Sequence, residues 1–152
     1  MSHPTAPTAW PGLARHHQIH GVQPVLPVPD VPAAAEWFCR VLGFELDFFH
    51  GEPVYYGRVK LGLRGEGNWG DPVFIHLQQT CEAIVPCGEV RLHIGHDIDG
   101  LHAHALTQGA EVLEPPADQP WGLRDMTLRA PGGHLLVLGA EIVGEGDGEG
   151  EA

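Results

Sequence analysis

The sequence predicts an α+β fold: two tandem β-α-β-β-β units forming a curved mixed sheet with a cleft, the helices on the outer face. Three observations carry this. Short apolar runs with strand-like alternation are separated by Gly-rich and Pro-rich turns. Two stretches, around Trp37 and around Ala105, space their apolar residues as a helix does. The order strand, helix, three strands occurs between Gly21 and Gln79 and again between Val90 and Leu138.

The first unit begins at Gly21, where Val22, Val25, Leu26 and Val28 make a short strand that stops at Pro29-Asp30. Asp30 is placed to cap a helix, because its carboxylate can accept from the free N–H groups of the first turn. Pro32 suits that turn, where a missing N–H costs nothing. Trp37, Phe38, Val41 and Leu42 then recur at helical spacing, and Gly43 supplies the left-handed stop. Strands are expected at Phe44–Phe49, Val54–Leu61 and Val73–Gln79, with a Gly-rich turn over residues 64–72.

A connector from Cys81 to Cys87 leads into the second unit. Its strand is expected at Val90–Ile94 and its helix over about Asp99–Gln108, ended by Gly109, with Leu101, Ala105 and Leu106 turned inward. Strands follow at Ala110–Glu114, Arg124–Ala130 and His134–Leu138. A helix covers one face of each group of strands, so the other face is free for function.

The chain has 152 residues, the size of one domain. It is 43% hydrophobic and 18% charged, and its apolar runs fall far short of the roughly 20 residues that cross a bilayer. A soluble chain with no membrane partner is expected. The net charge of −12 argues against nucleic acid, which is bound by clustered Lys and Arg, and favours cationic or neutral ligands. Residues 1–20, rich in Pro, Ala and His, are expected to form a flexible arm, and residues 21–142 the domain. Residues 143–152, where Gly alternates with Glu145, Asp147, Glu149 and Glu151, should form a disordered acidic tail. The N-terminus lacks the basic start and apolar stretch of a secretion signal, and Cys39, Cys81 and Cys87 form no CxxC pair. Both features fit a cytoplasmic protein with free thiols.

Three segments resemble a known family. The first is Val28-Pro29-Asp30 with the helix end Trp37-Phe38-Cys39-Arg40-Val41-Leu42-Gly43-Phe44; the second is Asp97-Ile98-Asp99-Gly100-Leu101-His102. The third is Gln119-Pro120-Trp121-Gly122-Leu123-Arg124-Asp125 leading into Ala130-Pro131-Gly132-Gly133-His134-Leu135. From about Gly21 to Gly139 the chain resembles the vicinal oxygen chelate superfamily, which includes glyoxalase I, extradiol dioxygenases, fosfomycin-resistance enzymes and bleomycin-resistance proteins. The third segment is similar to the bleomycin-resistance branch. The resemblance implies a homodimer whose clefts draw on both subunits, and antibiotic resistance by capture of the drug.

In metal-dependent members of that superfamily, four strand positions facing the cleft supply the ligands. Carried over one at a time, they fall on Gln23, on His76, on Val90 or Glu89, and on Val137. A one-residue insertion before Asp97 selects Glu89, and it agrees with alternation. Val90, Leu92 and Ile94 then lie under the helix, while Glu89, Arg91 and His93 turn into the cleft. Gln23, His76 and Glu89 are thus the fallback set for a divalent metal, but Val137 stands where a carboxylate belongs and a catalytic metal takes three protein donors. The expectation is therefore no metal cofactor, no catalytic residue, and a cleft that binds a small molecule.

Phe74, Leu135 and Val137 would form its apolar wall, with Gln23, His76, Gln78, Arg91 and His93 orienting the ligand. His76 could equally be a satisfied buried histidine. Trp121, in a Pro-Trp-Gly turn, would stack on a cationic or aromatic ligand or else pack on its own domain. Alternation sends only one of Tyr55 and Tyr56 toward the cleft, without saying which. The alternative function is a divalent-metal-dependent lyase, isomerase or dioxygenase acting on a small organic substrate.

Overall fold

The computed structural model describes residues 21–61, 73–86, 88–95 and 97–142. The expected arm at residues 1–20, the acidic tail at 143–152 and the turn at 64–72 lie outside the described residues. The first unit comprises β1 (Val25–Val28), α1 (Val31–Leu42), β2 (Glu45–His50), β3 (Tyr56–Leu61) and β4 (Val73–Gln79). The second comprises β5 (Glu89–His93), α2 (Ile98–Thr107), β6 (Glu111–Asp118), β7 (Leu123–Arg129) and β8 (Leu135–Glu141). Each unit makes its own four-stranded sheet, in the orders β1-β4-β3-β2 and β5-β8-β7-β6. The sheets are mixed: β1 runs parallel to β4 and β5 parallel to β8, while the other pairs are antiparallel. The tandem α+β order read from the sequence is the one present.

The caps of α1 fix where it starts and stops. Asp30 Oδ1 accepts from the Ala33 amide at 3.0 Å, and Gln79 Oε1 at the end of β4 accepts from the Val31 amide at 3.1 Å. Two otherwise unpaired donors of the first turn are thereby satisfied. Gly43 ends the helix at φ 77°, its N–H donating back to Cys39 O. The helix lays Val31, Ala34, Ala35, Phe38, Val41 and Leu42 on the sheet. Its first turn lies close on β3 because Gly57 is there: a Cβ would come within 3.1 Å of Val31 Cγ1 and 3.0 Å of Phe49 Cδ1.

α2 begins one residue earlier than expected, with Asp97 as its cap and Asp97 Oδ1 accepting from Gly100 N at 3.0 Å. That start makes Ile98, Leu101 and Ala105 the inner stripe at i, i+3 and i+7, and leaves Leu106 52% exposed rather than turned inward. β6 runs on to Asp118, four residues past the expected end at Glu114, through Pro115 and Pro116. It tolerates prolines because it is an edge strand, where one side of the backbone has no ladder to feed.

The two units share one core, with Val28, Phe38, Val59, Ile75 and Leu77 from the first and Met126, Leu128, Leu136 and Leu138 from the second. Polar contacts join the halves as well. The buried His134 donates from Nε2 to Pro27 O in β1 at 2.8 Å. His104 Nε2 donates to Arg40 O at 2.9 Å, and the Arg40 side chain donates to Gln108 O. Among the described residues no helix is long and apolar enough to cross a membrane.

Alternation then decides the free face. Ile75 and Leu77 of β4 and Leu136 and Leu138 of β8 enter the core, leaving Phe74, His76, Gln78, Leu135 and Val137 on the other side. In β5, Val90 and Leu92 pack against the core while Glu89, Arg91 and His93 are exposed, as the inserted register requires.

Candidate functional site

A cavity of about 670 Å³ lies at the seam between the units, where the start of β1 and the start of β4 face β5. Gln23, Phe74, Glu89, Arg91 and His93 all line it, with Ile75, Val90 and Leu92 among its apolar surface. The seam exists because β1 and β5 are both edge strands of their sheets, β1 held to the shared core by buried Leu26 and Val28 and β5 by half-buried Val90 and Leu92.

Behind Gln23 the free face of the first unit is tied together by hydrogen bonds. Gln23 Oε1 and His76 Nε2 are 2.6 Å apart, and His76 Nδ1 is 2.6 Å from the Tyr56 hydroxyl. With Gln23 Oε1 as an acceptor, Nε2–H donates to it and Tyr56 O–H donates to Nδ1, so the neutral imidazole is fully satisfied. Burial, and then the nearby Arg58 charge, lower the His76 pKa and favour that neutral form. Tyr56 is therefore the tyrosine on the free face. Tyr55 is half exposed and meets His50 edge-on.

Arg58, two residues on from Tyr56, lies over the rings of Phe74 and Phe48 at 4.2 and 5.3 Å from their centroids. Its Nε donates to Asp47 Oδ2 at 2.7 Å, and this hydrogen bond holds the Asp47 carboxyl below its usual range. An irregularity in the β2–β3 register between Leu46 and Phe48 lets both Asp47 and Phe48 serve Arg58.

The second unit carries a smaller depression of about 150 Å³, lined by Arg91, Glu114, Trp121, Asp125, Thr127 and Val137. Asp125 is only 8% exposed; it accepts from Gln119 Nε2 at 3.1 Å and lies 3.8 Å from Arg91 Nη1. Arg91 Nε also donates to Glu89 at 2.8 Å. Trp121 is 60% exposed, so its ring stands out from the loop instead of packing on its own domain.

The residues expected at the ligand site are thus shared out. Gln23, Phe74, Arg91 and His93 meet in the seam cavity, and Arg91 also joins Trp121 and Val137 in the second depression. Leu135 lies on a third, open surface with Pro86, Leu113 and Arg129. His76 touches the seam cavity through Gln23, and Gln78 is exposed farther along β4. Arg58, Asp47 and Asp125 had not been singled out, and Tyr56 had been named only as one of two tyrosines. Alternation along Tyr56-Gly57-Arg58-Val59 carried the signal for Tyr56 and Arg58, since a buried Val59 turns both outward. Asp47 sits in the bulge, where alternation fails.

The side chains of the fallback metal set are engaged with other partners. Both His76 nitrogens are engaged, the Glu89 carboxylate is paired with Arg91, and Val137 offers no donor atom. Among the described residues no three His, Cys, Asp or Glu side chains gather to hold an ion.

No protein-family profile matches the sequence, and no curated protein is significantly similar to it. Solved structures do match in shape. A glyoxalase-related enzyme from Clostridium phytofermentans aligns with a TM-score of 0.66 at 21% identity, covering 85% of this chain and 100% of that one. TioX from Micromonospora aligns at 0.60 and 24% identity, covering 80% and 100%. The bleomycin-binding protein of Streptomyces verticillus, solved with copper(II)-bleomycin, aligns at 0.60 and 24%, covering 82% and 98%. At these identities the likeness is one of fold, and the chain has the vicinal oxygen chelate fold shared by glyoxalase-related and bleomycin-resistance proteins.

Proposed function

We propose that the chain is a bleomycin-resistance-like protein that sequesters a small cationic or aromatic molecule in the seam cavity, without a metal and without chemistry. The observation that carries this is the cavity itself. Its size falls in the range of about 300–1,000 Å³ usual for ligand pockets, and it combines apolar surface from Val73, Phe74 and Leu92 with a few polar groups, Gln23, Glu89, Arg91 and His93. The net charge of −12 would draw a cation toward the protein. A homodimer in the cytoplasm belongs to the same reading. Its support is the resemblance and the apolar side chains left uncovered on the free side, Phe48 and Trp121.

One observation favours the metal-dependent enzyme as a second reading: Gln23 and Glu89 line the same cavity, with His76 bonded to Gln23. The two readings separate in one experiment on purified protein. Metal content is measured with and without chelator, and melting temperature is followed with metal-free and copper-loaded bleomycin. Binding without chemistry expects metal-poor protein whose melting temperature rises with the drug, a rise that Phe74→Ala reduces. Near-stoichiometric metal that resists dialysis, with no response to the drug, would sink it. Sedimentation of the same sample reads the dimer.

A further inference from the structure

We infer that the seam cavity opens into an apolar side pocket that takes a short alkyl group of the bound molecule. The ligand is then amphipathic, with a polar head beside Gln23, Glu89 and Arg91 and a tail of about three carbons. This rests on the binding reading above and narrows its ligand class.

The side pocket has a volume of about 80 Å³ and lies between the two helices' inner sides and both sheets. Buried Leu42, Phe44 and Leu138 form its floor. Val73, Leu92 and His93 line both this pocket and the seam cavity, so they are the wall between the two. Val73 and His93 are exposed, so the mouth is on the seam side and the closed end lies in the core.

Among the described residues His93 is the one polar side chain of the lining, and it stands at the mouth; Leu101, Ile94 and Leu61 add hydrocarbon surface. Water entering such a space would find almost no hydrogen-bond partner, and apolar cavities of this kind stay dry and accept apolar guests. The volume is about half that of the cavity of about 150 Å³ known to hold benzene, which leaves room for about three methylene-sized groups. A charged head cannot follow the tail inside, because nothing there would compensate the lost hydration. Head and tail are therefore sorted by the pocket's own chemistry: charge and hydrogen bonds outside His93, hydrocarbon inside.

The test uses n-alkylguanidinium ions from methyl to hexyl, with affinity read by protein-observed NMR. Affinity should rise about fourfold for each carbon up to about propyl and then level off, as each buried methylene adds its transfer energy until the floor is reached. Leu101→Phe, which fills the pocket from a half-buried position, should abolish that length dependence and leave methylguanidinium binding unchanged. Ile94→Phe serves as a second filling variant should Leu101→Phe fail to fold. Xenon, detected by methyl shifts, should enter the wild-type pocket and be excluded from the filled one. Equal affinity for methyl and propyl ions, or no xenon in the wild type, overturns the alkyl pocket alone. Xenon entry with no alkylguanidinium binding at all overturns the binding reading and the alkyl pocket with it.

Discussion

The two units repeat one order of elements and yet differ in how much they bury. α1 lays six side chains on its sheet, while α2 buries only Ile98 and Ala105. The faces opposite the helices differ in the same sense. In the first unit, Gln23, His76 and Tyr56 form one hydrogen-bonded chain and Arg58 is held between Phe48, Phe74 and Asp47. In the second, Arg91 lies among the carboxylates of Glu89 and Asp125, and Trp121 projects freely. The first unit is the better-packed half and the second the more open one. A ligand at the seam would meet a fixed wall on one side and an adjustable one on the other.

The largest expected effect breaks that contrast most directly. Phe38 is fully buried and meets Trp37 and Phe44 edge-on, so Phe38→Ala should cost about 3–5 kcal/mol in urea unfolding. Leu101→Ala, on the half-buried stripe of α2, should cost about 1 kcal/mol. Equal losses at the two sites would remove the difference between the units.

Next in size is the contact that ties them together. His134→Ala deprives the Pro27 carbonyl of its donor at a buried site, a loss of about 1–3 kcal/mol. Because the contact spans the units, the variant should also broaden the unfolding transition; a sharp, unshifted transition would show that the shared core alone couples them.

The order of elements was legible in the sequence because each boundary has a local cause. Asp30 and Gly43 bracket α1 through their own backbone and side-chain chemistry, and β4 matches its expected limits because its alternation is strict. What escaped depends on partners far along the chain. Leu106 was expected inside beside Leu101 and Ala105 on a helix beginning at about Asp99, whereas the helix begins at Ile98 behind the Asp97 cap and its inner stripe runs through Ile98, Leu101 and Ala105. Asp47 reaches Arg58 through a bulge that interrupts alternation. The division of the expected ligand residues between the seam and the second depression reflects how two sheets meet, which no local pattern records.

Acid should weaken both units through one kind of clamp. Asp47 is held below its usual range chiefly by the hydrogen bond from Arg58, and Asp99 by that from Arg124. A carboxyl lowered in the folded chain stabilises it above the ordinary value near about pH 4, and that stabilisation is lost as pH falls through the lowered value. Asp47→Asn and Asp99→Asn should each flatten the acid limb of the stability profile. A flattening confined to one variant would assign the acid sensitivity to one unit.

The smallest effect is at His76, and its sign distinguishes the wired face from an open one. Its folded pKa lies below 6.5, first because of burial and then because of Arg58, so as pH falls the unfolded chain takes up the proton first. The histidine therefore contributes fully above about pH 6.5 and loses stability on acidification through the window below it. An NMR titration should place the His76 midpoint below the ordinary histidine value of about 6.5. Arg58→Gln should raise it only in part, because burial remains the larger cause. Recovery of an ordinary midpoint would make charge the main cause. An unchanged one would leave burial as the whole of it, and the contrast between the two faces would then rest on packing rather than on charge.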